Sequence, residues 1–151
     1  MPRLPLRTSL LAAVAGVALA AGAARRVLLV VTVEGTSMTP TYPPGTRLLV
    51  VRTPVARART GAAVVFRLPP VERGGAEPPL IVKRVAARAG DPVPPAVRDA
   101  VGTRDGGRVP RGSVVLLGDD PATSTDSRAW GYVARRRISG VVVARLGPPA
   151  A

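Results

Sequence analysis

The sequence predicts an all-β domain preceded by one N-terminal transmembrane helix. Three observations lead there. Six short runs rich in Val, Leu and Ile, each closed by Gly, Pro or Asp, have the length and punctuation of strands. No stretch past residue 33 carries a convincing helical repeat of apolar positions. The chain also begins with 17 uncharged residues, Thr8 to Ala24, held between Arg7 and the pair Arg25 and Arg26.

That first segment would make a helix of about 26 Å at 1.5 Å per residue, close to the shortest that spans a bilayer. It is mostly Ala, with three Leu and two Val, so its preference for the bilayer is modest. A retained anchor is the expectation. A removed signal peptide is the competing reading, because Ala18 and Ala20 resemble an Ala-x-Ala cleavage site. Arg3 and Arg7 before the run, against Arg25 and Arg26 after it, give a slight preference for a cytoplasmic N-terminus. The division is therefore residues 1–26 as cytoplasmic stub and anchor, and residues 27–151 as an extracytoplasmic β-rich domain.

The strands follow in order. Val27–Val33, Arg47–Arg52, Ala62–Leu68, Leu80–Ala87, Ser113–Gly118 and Ile138–Leu146 each end at turn-forming residues. Between them, Pro69–Pro79 and Asp91–Gly112 are rich in breakers and read as surface loops, because strands resume directly after both. No internal repeat is present. At this length one domain with a modest core is expected.

Composition removes several kinds of chemistry. The 151 residues include 22 basic and 9 acidic side chains, a net charge of +13, with no His and no Cys. A Ser-His-Asp triad, a zinc finger and an Fe–S cluster therefore cannot be built, and neither a metal nor any other cofactor is expected. The basic surplus favours contact with a lipid bilayer over nucleic acid, since Tyr42, Phe66, Trp130 and Tyr132 are too few to form a base-stacking platform. Of the basic residues, 21 are Arg and one, Lys83, is Lys. An ammonium can lose its proton where a guanidinium effectively never does.

Three segments could carry chemistry. Ser37 stands in Val33-Glu-Gly-Thr-Ser-Met-Thr-Pro-Thr-Tyr42, at the end of a strand and before a run of turn signals. Such a junction exposes a hydroxyl and leaves backbone N–H groups free, as an oxyanion hole requires; a Ser serving only as a turn former is the bland alternative. Lys83 lies in Leu80-Ile-Val-Lys-Arg-Val85, where strand alternation groups it with Ile81 and Val85 and sets Leu80, Val82 and Arg84 on the other face. An amine on an apolar face loses hydration and becomes a usable base, whereas a solvated strand Lys would not. The third segment, Gly118-Asp-Asp-Pro-Ala-Thr-Ser-Thr-Asp-Ser-Arg-Ala-Trp-Gly131, is dense in hydrogen-bonding groups. There Asp126 and Arg128 suit a bracing ion pair, and Ser124 could orient the Lys83 amine.

Taken together, Ser37-Met-Thr-Pro-Thr41, Lys83-Arg-Val85 with Gly90-Asp91, and Gly118-Asp-Asp followed by Ser124-Thr-Asp-Ser-Arg128 and Trp130-Gly131 resemble the successive motifs of bacterial type I signal peptidases. The resemblance is to the small single-span form of that family. The resemblance covers residues 33–133 in the right order. It implies a membrane-anchored serine endopeptidase, held at the plasma membrane with its catalytic domain outside, that removes signal peptides from exported preproteins. Ser37 would be the nucleophile, Lys83 the general base and Ser124 the hydroxyl that orients it. The Ser37 N–H would serve the oxyanion hole, where some members add a Ser hydroxyl and this chain has Gly35. Asp119, Asp126 and Arg128 would brace the site. Substrates would be cleaved after small residues and bound in extended form, and the enzyme would act as a monomer without a cofactor.

The chain departs from the family pattern at Asp120, where Asn is usual, at Ala62, where Asp is expected, and at Ala87, where Gly is expected. Two other functions stay open: a dedicated maturation protease for one precursor, of the nickel superoxide dismutase type, and a non-catalytic basic membrane-surface protein.

Overall fold

The computed structural model of the chain describes residues 27–52, 58–67, 80–103 and 106–147, together with Gly16 and Gly22. All six expected runs form strands, with ends that agree to within a residue: β1 (Leu28–Thr32), β2 (Arg47–Val51), β3 (Ala63–Arg67), β4 (Leu80–Arg88), β5 (Ser113–Leu117) and β7 (Ile138–Arg145). One strand is new. β6 is only Val133–Ala134, too short for a period-2 pattern to register. A single helical turn, Ser127–Trp130, follows Asp126, whose side chain caps it by accepting from the Arg128 N–H. Among the described residues no helix is long and apolar enough to cross a membrane. Apart from Gly16 and Gly22, the anchor expected within residues 1–26 lies outside those described, as does the loop expected at Pro69–Pro79.

The strands make one antiparallel sheet in the order β1-β2-β7-β3-β4-β5-β6. Alternation places two apolar clusters on it. Val64 and Phe66 of β3 join Val85, Leu116, Val133 and Ile138, while Val65 joins Val82, Leu48 and Val50. The expected two faces of β4 are recovered in this division, since Ile81 and Val85 pack with the first cluster and Leu80 and Val82 with the second. Phe66, fully buried, meets Trp130 edge-to-face with ring centroids 5.9 Å apart, which ties the helical turn to the sheet.

The Asp91–Gly112 segment is more ordered than a surface loop. Pro92 and Arg108 form an isolated bridge, and Val93, Val97 and Val109 pack with Ala87 and Val115 into a third apolar cluster. Its Val residues are interleaved with Pro and Gly, so breaker content masked the apolar pattern. Ala87, one of the departures noted above, is 2 % exposed in this cluster.

β4 changes partner along its length. Leu80–Arg84 pairs with β3, and Arg84–Arg88 pairs with β5 through a bulge between Val85 and Ala87. Among the described residues, no strand therefore pairs with the outer edge of Leu80–Lys83. β1, at the end of the sheet, has a second free edge.

Gly140 explains how closely β2 and β7 pack. A Cβ there would lie 2.6 Å from both Val50 Cγ1 and the Val51 carbonyl oxygen. Gly140→Ala is expected to destabilise the domain by about 1–3 kcal/mol, as overpacking does, measured as a lowered midpoint in urea or thermal unfolding. An unchanged midpoint would show that the two strands can part at no cost.

Candidate active site

Ser37 follows β1 in a turn held at several points. The Thr39 N–H donates to the Thr36 carbonyl and the Tyr42 N–H to the Met38 carbonyl. Met38, 1 % exposed, is buried with Val33, Leu48, Val50, Val65 and Val82. The side chain next to the nucleophile candidate is thus an apolar anchor, and it fixes where the Ser37 hydroxyl points. Gly35 supplies the positive φ of 74° that lets the chain turn here. Among the described residues the Ser37 N–H has no recorded partner, so it is free to meet a developing oxyanion.

Lys83 comes from β4, opposite Val64 in the register. It is 3 % exposed. Its Nζ lies 2.6 Å from Ser37 Oγ, so residues 46 apart in sequence are brought into one hydrogen bond by the β3–β4 pairing and the Met38 anchor. Burial disfavours the ammonium and lowers its pKa from the ordinary lysine value. Asp126 and Asp119 pull the other way, and Arg128 reinforces the lowering. A neutral amine at this distance can accept the Ser37 hydroxyl proton along the same line, which is the requirement for base-assisted attack.

The Gly118–Gly131 segment closes the site. Asp126 is completely buried and accepts from the Gly118 N–H at 2.8 Å, the Ser124 hydroxyl at 2.7 Å, and Arg128 at 3.0 Å through Nε and 2.5 Å through Nη2. Burial works against the carboxylate, but these donors outweigh it and hold Asp126 below the usual carboxylate range. The expected Asp126–Arg128 brace is therefore present. Ser124 differs in detail from its expected contact: its hydroxyl donates to Asp126, while the recorded bond of Lys83 goes to Ser37. A carboxylate is the stronger acceptor, so Ser124 reaches the lysine's surroundings through Asp126.

Asp119 pairs with Arg84, a residue the sequence reading placed only by strand face. The pair is bidentate, Nε to Oδ1 at 2.7 Å and Nη2 to Oδ2 at 2.6 Å. Arg84 also donates to the Gly61 carbonyl at 2.8 Å and lies 3.5 Å from Thr41 Oγ1, so one guanidinium joins three loops. The bond from Arg84 is the main cause that lowers the Asp119 pKa. The Lys83-Arg-Val85 motif contains this arginine, but nothing in the sequence names Asp119 as its partner.

Two further contacts were not anticipated. Gly118 is the point of closest approach between the loops: a Cβ there would sit 2.5 Å from the Ser37 carbonyl oxygen and nearer still to Ser124 Oγ. Thr36 Oγ1 bonds Thr123 Oγ1 at 3.0 Å, and Thr123 in turn donates to Asp120 Oδ2 at 2.8 Å. The unusual Asp120 thus has a local role, holding its own turn while its N–H donates to the Ser37 carbonyl. No group of acidic residues among those described could hold a metal ion.

A cleft of about 400 Å³ opens beside Ser37, lined by Val31–Glu34 and Met38 on one side and Leu80–Val82 on the other. A sequence model of the family described as signal peptidase, peptidase S26, matches residues 6–101 and 94–146. The chain belongs to the peptidase S26 family of signal peptidases. No curated protein matches it. Membership carries a peptidase function of the signal peptidase type and preproteins as the class of substrate.

In this signal peptidase the buried Asp126 links the site to acid stability. Its folded-state pKa lies below its unfolded value, so its contribution is full at neutral pH. It drains away as pH falls through the ordinary carboxylate range toward the depressed value. Asp126→Asn is expected to lower stability at neutral pH and to flatten its dependence on pH below about 5. Urea titrations over a pH series measure this; parallel curves for the two proteins would remove Asp126 as the source.

Proposed function

We propose that this chain is a membrane-anchored serine endopeptidase that removes signal peptides from exported preproteins. Ser37 is the nucleophile and Lys83 the general base. The observation that carries the reading is the 2.6 Å contact between Ser37 Oγ and the Nζ of a lysine that is 3 % exposed. Neutral Lys83 takes the hydroxyl proton as Oγ attacks the scissile carbonyl. It returns that proton to the leaving amine, and then activates the water that releases the acyl-enzyme.

An unshifted lysine would be neutral in only about one molecule in 2,500 at pH 7. Burial supplies the shift, and the arginines protect it. Each nearby carboxylate is already matched by its own guanidinium, Asp126 by Arg128 and Asp119 by Arg84. Neither is left unopposed to hold Lys83 in its charged form.

The cleft supports a substrate bound in extended form. Among the described residues Leu80–Val82 has an unpaired edge there, and β1 offers a second, so a peptide laid between them can add backbone hydrogen bonds on either side. The lining is largely Val, Ile, Leu and Met, in keeping with small apolar side chains in the substrate. The uncharged run of residues 8–24, between flanking Arg residues, supports an anchor in the plasma membrane with the β-domain outside.

Purified enzyme and a panel of preproteins test this. Ser37→Ala is expected to abolish cleavage, and Lys83→Arg to be as inactive as Lys83→Ala although it keeps the charge. Wild-type activity in Lys83→Arg would reject the lysine base. Cleavage of a single precursor from the panel would favour the dedicated maturation protease. A pH–rate profile gives an independent check: activity should rise as Lys83 deprotonates, with the limb below the ordinary lysine value. Arg128→Met leaves the Asp126 carboxylate unopposed, favours the ammonium, and is expected to move that limb to higher pH; a limb that stays in place would show that Arg128 does not tune the base.

A further inference from the structure

The cleft beside Ser37 is lined by six apolar side chains together with Thr32, Glu34 and Ser37 itself. Among the described residues its lining contains a single ionisable side chain, Glu34. The residue is exposed, and among the described residues no cation pairs with it. Asp119 and Asp126 each hold an arginine, whereas Glu34, like Asp91, Asp99 and Asp120, has no ion pair among the described residues; of these four it is the one that lines the cleft. Glu34 is three residues before Ser37, so their backbones are at most about 10 Å apart. An extended substrate advances about 3.3 Å per residue. A carboxylate at Glu34 therefore lies alongside substrate residues within about three positions of the scissile bond.

We propose that Glu34 is a specificity-determining residue that favours substrates carrying a Lys or Arg within three residues of the cleavage point. The inference rests on the reading of Ser37 as the nucleophile, and it adds a charge requirement that the apolar lining does not contain. The net charge of +13 would repel such a substrate at long range. Glu34 acts at contact distance, where one unpaired carboxylate decides which flanking side chain is accepted.

A peptide series tests it. One cleavable parent sequence is made with Arg, Gln or Glu placed singly at each of the three positions on either side of the cleavage point, and kcat/KM is measured for each. In the wild-type enzyme, Arg is expected to exceed Gln by about threefold at one or two positions, the size of a solvent-exposed ion pair. The preference should shrink as salt is raised. In Glu34→Gln the Arg/Gln ratio is expected to fall to about one, and in Glu34→Arg the preference should pass to the Glu peptide. Because each ratio is taken within one enzyme, a general loss of activity in a variant cancels. A flat wild-type profile would overturn the proposal, and so would an Arg preference that persists in both variants. If no peptide is cleaved by the wild-type enzyme, the reading of Ser37 as a protease nucleophile fails instead, and this inference with it.

Discussion

The site depends on keeping one lysine out of water. Lys83 is 3 % exposed and stands opposite Val64 of β3, which is wholly buried. Its loss of hydration is the largest influence on its pKa, and that influence exists only while the β3–β4 register holds. A slip of one residue would turn Lys83 to the other face and bring Arg84 into its place. A guanidinium there could neither give up a proton nor leave Asp119 its partner. The apolar residues that fix the register, Val64, Phe66 and Val85 on one face and Val65 and Val82 on the other, are in this sense part of the chemistry.

Arginine and lysine have divided roles in this chain. Arg84 and Arg128 each take a carboxylate that would otherwise stabilise the Lys83 ammonium, and Arg84 also ties loops together. Both tasks suit a planar, permanently charged fork with several donors. The task left to Lys83 requires an amine that can be neutral. The excess of arginine over lysine, which in composition reads as a bias, coincides at the site with a separation between bracing and proton transfer.

Most of the fold was legible because its strands are runs of Val, Leu and Ile cut off sharply by Gly, Pro and Asp. β6 was not, since two residues carry no period. The packed segment around Val93, Val97 and Val109 was hidden by the prolines and glycines between its valines. At the site, Ser37, Lys83, Asp126 and Arg128 could be read from motif order, and Ser124 could be placed near them. Its partner could not, because the choice between an amine and a carboxylate acceptor depends on where Asp126 sits once the helical turn forms. Arg84 and Gly118 were missed for a related reason. Their importance lies in contacts between segments far apart in sequence, Gly61, Thr41 and Asp119 for the one and Ser37 and Ser124 for the other.

The partner change in β4 connects the lysine to the cleft. Arg84 is the residue common to both ladders, facing Ala63 of β3 and Leu117 of β5. Among the described residues, Lys83 is therefore the last whose outer edge is still without a strand. Of the described strands none pairs with the residues before it on the cleft side, while residues after it are closed by β5. A peptide that adds itself along Leu80–Val82 must stop pairing where β5 begins, and that point is the position of Lys83 and the Ser37 hydroxyl. Under the proposed reaction, the same break in the ladder that leaves room for a substrate strand also determines which of its peptide bonds reaches the dyad.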